Sequence, residues 1–156
     1  TNKAKEVVKM KEQDKRLVEQ EENAGFNPKY KQFMLLIEQA DPVVFFVPRW
    51  CINAVGGDFK AGVLLSHIVN LFHNKYGKQR MIERDGKVWL VKSRNEWSEE
   101  FLFTPKEFDR AIKVLCDLGL AEKRIFKVDG NPTISIWLNE DLLEDLLLKA
   151  VVEQCM

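Results

Sequence analysis

Residues 88–138, VWLVKSRNEWSEEFLFTPKEFDRAIKVLCDLGLAEKRIFKVDGNPTISIWL, decide the fold. Lys87-Val-Trp-Leu-Val-Lys92 is an alternating apolar run and predicts a strand. Ser93-Arg-Asn-Glu96 then carries a helix-start signature. The Ser hydroxyl can accept a backbone N–H three residues on, and the Glu can reach back. Thr104-Pro-Lys-Glu107 repeats it, with Pro at the first helical position, where its missing N–H costs nothing. Ile125-Phe-Lys-Val, the turn Asp129-Gly-Asn-Pro132 and Thr133-Ile-Ser-Ile-Trp-Leu138 predict a hairpin. The stretch therefore reads strand, capped helix, short turn, second capped helix, ribbon.

Outward from this stretch, 156 residues suffice for one compact domain with an appendage. Hydrophobic residues make up 46% and charged residues 31%, the proportions of an ordinary globular protein. No apolar run approaches the roughly 20 residues needed to span a bilayer, so no membrane partner is expected. The first 25 residues are charged throughout, unlike a secretory leader. The chain opens on Thr1 and not on Met, which is compatible with a fragment of something longer. Cys51, Cys116 and Cys155 are scattered, which argues against a disulfide framework and for a reducing, cytoplasmic setting.

Residues 1 to about 24 are polar with a sparse apolar set, Val7, Val8, Met10, Leu17 and Val18. A solvated helix or a tail is expected there, ended by Gly25. Asn27-Pro28 is expected to cap a helix through Ala40, with Tyr30, Phe33, Met34 and Ile37 at helical spacing, and Asp41-Pro42 to stop it. Val43 to Val47 reads as a short buried strand or extended segment closed by Pro48. Residues 50–55 are ambiguous, and Gly56-Gly57 is a turn. Asp58 is expected to cap a central helix through about Asn74, apolar on more than one side. Strands at 78–82 and 87–91 flank the turn Glu83-Arg-Asp-Gly86. Asn139 is expected to cap a C-terminal helix.

Two short helices followed by a two-stranded ribbon is the element order of a winged helix-turn-helix. The expected fold class is α+β: a winged helix-turn-helix with additional N-terminal helices and a C-terminal helix. The corresponding division is a charged helix or tail over 1–25, the winged-helix domain with its helical extension over 26–138, and the C-terminal helix over 139–156. In that last helix Leu142, Leu143, Leu146, Leu147, Ala150 and Val151 span a wide arc, with Leu148 and Val152 outside it. A partner surface is expected there, and a homodimer through terminal helices would supply it.

Formal net charge is zero, which weighs against a dedicated phosphate binder. Its distribution is polarised: residues 75–94 hold seven bases against two acids, and 139–156 hold five acids against Lys149. On the second helix of the pair, Phe108, Ala111, Ile112 and Leu115 share one face, and Lys106, Asp109, Arg110, Lys113 and Asp117 the opposite one. Three bases with two acids can be a groove-reading face or simply a solvated helix surface. Trp89, Trp97 and Trp137 are placed for core filling, in preference to base stacking.

Gly62-Val-Leu-Leu-Ser-His-Ile-Val-Asn70, Trp89-Leu-Val-Lys-Ser93, Trp97-Ser-Glu-Glu100 and the run from Asp109 to Glu122 resemble the winged-helix domain of phage and plasmid replication proteins and related bacterial regulators. The resemblance covers about residues 54–138. It implies a DNA-binding protein of replication or transcription regulation that partners double-stranded DNA and replication proteins. Helix 105–118 would present Lys106, Arg110 and Lys113 to the major groove; Lys123, Arg124 and Lys127 on the wing would touch phosphate; Lys92 and Arg94 would hold the backbone. The family has Thr-Gly-Leu-Ser between the two helices, whereas this chain has Phe101-Leu-Phe-Thr104. Leu102 stands at the Gly position, so the turn is expected to be remodelled. A degenerate winged helix kept for protein contacts is the alternative reading.

An enzyme finds little support in the residues. His67 and His73 lie about 120° apart on one helix and make no metal pair. No Cys-x-x-Cys, nucleophile elbow, phosphate-binding Gly loop or Ca²⁺ loop occurs. Ser66 and His67 point apart on a helix. No catalytic residue, cofactor or metal site is expected.

Overall fold

The computed structural model describes residues 2–6, 28–41 and 43–156. The chain divides into two units, Thr1–Val44 and Phe45–Met156. The expectations for Val7 to Val18, the break at Gly25, the cap at Asn27 and the stop at Pro42 lie outside the described residues. In the first unit residues 2–6 are helical, and α1 (Pro28–Ala40) leaves Tyr30, Phe33, Met34 and Ile37 exposed.

The second unit is α+β. It runs α2 (Arg49–Ala54), α3 (Phe59–His73), α4 (Lys75–Lys78), β1 (Met81–Arg84), β2 (Lys87–Val91), α5 (Arg94–Phe101), α6 (Pro105–Asp117), β3 (Ala121–Val128), β4 (Asn131–Leu138) and α7 (Glu140–Cys155). Local chemistry sets most boundaries. Asp58 accepts from the Ala61 N–H at the head of α3, and Asn139 accepts from Leu142 N–H at the head of α7. Gly119, at φ +75°, takes the left-handed step that ends α6 and lets β3 begin. At Gly62 the α2 backbone comes so close that an added Cβ would lie 2.9 Å from Ile52 Cα.

The sheet is antiparallel in the order β1-β2-β4-β3. Both hairpins close on an Asp-Gly pair with positive φ at each position, Asp85-Gly86 and Asp129-Gly130, the geometry that matches strand twist. Pro132 therefore lies in β4 opposite Lys127, not in the turn. It lacks an N–H, but β2 pairs with β4 only at Ser135 and Ile136, so no neighbouring strand misses it there.

One face of the sheet packs against the helices. Leu90, Ile134, Ile136 and Leu138 meet Leu64, Leu65 and Ile68 of α3, Trp97 and Phe101 of α5, and Phe108, Ala111, Ile112 and Leu115 of α6. The other face is closed more thinly: Trp89 is buried beneath Phe126, edge to face at 5.2 Å, with its Nε1 donating to the Arg84 carbonyl. Among the described residues no helix is long and apolar enough to cross a membrane.

Three expectations are corrected. Val43 to Val47 forms no strand and is not buried, and Val44 and Phe46 face solvent. Its anchorage is local: Ser66 Oγ donates to the Phe46 carbonyl at 2.6 Å, and Phe45 stacks on Phe101 at 5.0 Å. The expected strand at 78–82 starts later, at Met81, because Asn74 caps the short α4, its side chain accepting from the Gly77 N–H. The turn between α5 and α6 is not remodelled. Leu102 itself adopts the left-handed conformation, φ 55° and ψ 29°, and donates its N–H to the Ser98 carbonyl. Phe101 and Phe103 pack on either side of it, so the backbone crosses a region that costs a residue with a Cβ about 1–2 kcal/mol.

Candidate nucleic-acid interface

The site is built on two capped helices. Ser93 and Glu96 satisfy each other's backbone N–H groups reciprocally and fix the start of α5. Eleven residues on, Thr104 accepts from the Glu107 N–H and fixes α6, with Pro105 at its first position. Burial of Phe108, Ala111, Ile112 and Leu115 then rotates Lys106, Arg110 and Lys113 outward. The β3–β4 ribbon follows, with Lys123, Arg124 and Lys127 exposed along β3.

The eight expected cations fall into three sets. Lys92 is not available to a ligand. It is 8% exposed, its ammonium bonds Glu100, and it lies 4.3 Å over the Trp97 ring. The expectation that it holds phosphate is corrected, and the reason lies in the sheet. The end of β2 is covered on both faces, so the alternation that would turn Lys92 to solvent fails. Glu100 also receives His67 Nε2 at 2.8 Å, in ion-pair range but off the line of a well-aligned hydrogen bond. Burial raises the Glu100 carboxyl pKa, yet His67 and Lys92 outweigh it and hold the group at about 2. This cluster ties α3, α5 and the end of β2 together.

The second set is exposed but paired. Arg94 bonds Asp109. Arg110 reaches Asp58 through Nη1 at 2.5 Å and Nη2 at 3.2 Å. Lys113 bonds Asp117 at 2.6 Å one turn along α6. The Arg110 contact holds the Asp58 carboxyl below its ordinary range, and Asp117 raises the Lys113 ammonium. Arg124 belongs here too, shared between Glu122 at 2.7 Å and Asp85 at 3.6 Å. The third set is Lys106, Lys123 and Lys127, which form no ion pair among the described residues.

Asp58 is the residue that sequence reasoning saw in only one of its roles. The cap was legible locally, but the second carboxylate oxygen meets a guanidinium 52 positions away. Only the packing of α3 against α6 brings them together. His67 lies against Glu100, and His73 Nε2 is 3.8 Å from Glu140, so the two histidines face different partners. No group of three or more metal-ligating side chains occurs among the described residues.

The comparisons with known proteins return nothing: no family model, no curated protein and no solved structure matches the chain.

Proposed function

We propose that residues 45–156 form a winged helix-turn-helix that binds double-stranded DNA without catalysing a reaction, as a replication or regulatory accessory protein of a phage or plasmid. The observation that carries this reading is the placement of α6. It is a 13-residue helix whose apolar face is buried and whose charged face, with Lys106, Arg110 and Lys113, is outward, and the ribbon β3–β4, exposed along β3 and at its tip, follows it directly. A helix of that size fits the major groove, and a ribbon beside it reaches the flanking backbone. Lys106 would enter with the first turn of α6, while Lys123 and Lys127 on β3 would take phosphates. Arg110 and Lys113 would face base edges once released from their carboxylates. Phosphate contacts would set most of the affinity, and base contacts the choice of site.

A second reading has its own observation. Arg94, Arg110 and Lys113 each bond a carboxylate, so the outward face of α6 is self-neutralised. A surface of that kind also suits a protein partner, as a winged helix no longer used on DNA. Fluorescence anisotropy of the full chain with a labelled 30-base-pair duplex, titrated from low salt upward, separates the two. Salt-sensitive binding that is lost in the Lys106→Ala, Lys123→Ala, Lys127→Ala triple variant is the expected outcome. Its absence in the wild type at low salt would replace the DNA reading with the protein-contact one.

A further inference from the structure

We infer that Asp58, Asp109 and Asp117 are specificity-determining residues that hold Arg110, Arg94 and Lys113 back from arbitrary phosphate. The inference rests on the DNA-binding reading above. Each of these cations is about half exposed or more, yet each is engaged by one carboxylate. Exposed pairs of this kind add only about 0–1 kcal/mol to folding, so stability alone gives little reason for three of them on one face. Their effect on an incoming polyanion is larger. Each carboxylate repels phosphate, and its cation must be detached before it can bind. In water at contact distance that attraction corresponds to about a fivefold equilibrium penalty per pair, or roughly 100-fold for three.

The pairs are also selective in position. Lys106 at the first turn of α6, and Lys123 and Lys127, which the DNA reading places on phosphate, carry no carboxylate among the described residues, whereas Arg94, Arg110 and Lys113, on and beside the middle of α6, all do; on the wing Arg124 is held by Glu122 and Asp85. Asp58 comes from the head of α3 and is fixed there by capping, accepting from the Ala61 N–H at 3.1 Å. It presents its second oxygen to Arg110 from outside α6. Weak contact through the free lysines would thus be open to any duplex. Release of the α6 cations would be favoured only where base edges and the fit of the helix repay the lost pairs.

The test compares the full chain with an Asp58→Asn, Asp109→Asn, Asp117→Asn variant on a random-sequence duplex. Asn retains the cap at position 58. An Asp141→Asn, Glu144→Gln, Asp145→Asn variant, in exposed positions of α7, changes net charge equally. With three free cations engaged, wild-type affinity should fall about 40-fold between 50 and 200 mM salt. With six engaged, the fall should steepen to about 2,000-fold, with tighter binding at low salt. The α7 variant should keep the wild-type slope. Equal gains in both variants, or a slope unchanged from wild type in the first, would overturn the inference while leaving DNA binding intact. No binding by the wild type or either variant would overturn the DNA reading, and the inference with it.

Discussion

Lys92–Glu100 and Arg110–Asp58 are both contacts between a cation and a carboxylate, and they lie at the two members of one helix pair. Lys92, just before α5, is buried against Trp97, and Glu100, near the end of that helix, is held by His67 as well. Arg110 is half exposed on α6, and Asp58 reaches it from a helix cap. The chemistry is the same, but the surroundings differ. In the first pair the Lys92 ammonium would be left nearly buried and without a carboxylate if Glu100 moved away. In the second, water can replace either partner at small cost. Burial thus makes α5 a fixed support and leaves the face of α6 free to exchange partners.

The largest expected effect comes from breaking the buried contact. Glu100→Gln leaves the Lys92 ammonium unpaired and should lower stability by about 2–3 kcal/mol in urea unfolding. The same pair sets an acid limit. The Glu100 carboxyl is held at about 2 against an ordinary value of 4.5, so its contribution is complete above pH 4.5 and is lost as pH falls toward 2. The stability gap between wild type and Glu100→Gln should therefore narrow across that window. A gap that stays constant with pH would show that Glu100 acts by packing and not by charge.

A smaller effect is expected at the joint between the two regions. Leu102 is 86% exposed and left-handed, so little packing offsets its backbone cost. Leu102→Gly should stabilise the fold by about 0.5–1 kcal/mol, read as a rise in urea midpoint with an unchanged slope. A loss of stability would mean that the Leu side chain supports the turn. The smallest effect is expected on α6: Asp109→Asn or Asp117→Asn should shift stability by less than about 0.5 kcal/mol. A cost comparable to Glu100→Gln at either position would erase the distinction between the two kinds of pair.

What was legible in the sequence was the local chemistry. Ser93 with Glu96, Thr104 with Pro105, Asp58 and Asn139 are caps whose partners lie within three residues, so the sequence contains the whole interaction. Asp85-Gly86 and Asp129-Gly130 mark their turns for the same reason. The apolar face of α6 followed from spacing alone, and its burial is as expected. What was not legible depends on packing between distant segments. Lys92 reads as exposed until both faces of β2 are covered, and residues 43–47 read as a buried strand or extended segment, whereas only Phe45 finds a ring partner in Phe101 and Val44 and Phe46 stay exposed. Leu102 defeats the propensity rule because the aromatic residues on each side fix the chain before and after it. The ion pairs of the candidate site were half visible: Lys113 with Asp117 lies at helical spacing, whereas Arg110 with Asp58 exists only through the packing of α3 on α6.

Amide chemical-shift mapping of the full chain, titrated with a short duplex at low salt, tests the central claim most directly. Docking of a duplex on α6 and the wing should concentrate shifts on residues 105–117 and 122–132, with the buried Lys92–Glu100 support and α7 unmoved. The absence of shifts at low salt, or shifts confined to α7 or to residues 28–40, would contradict it.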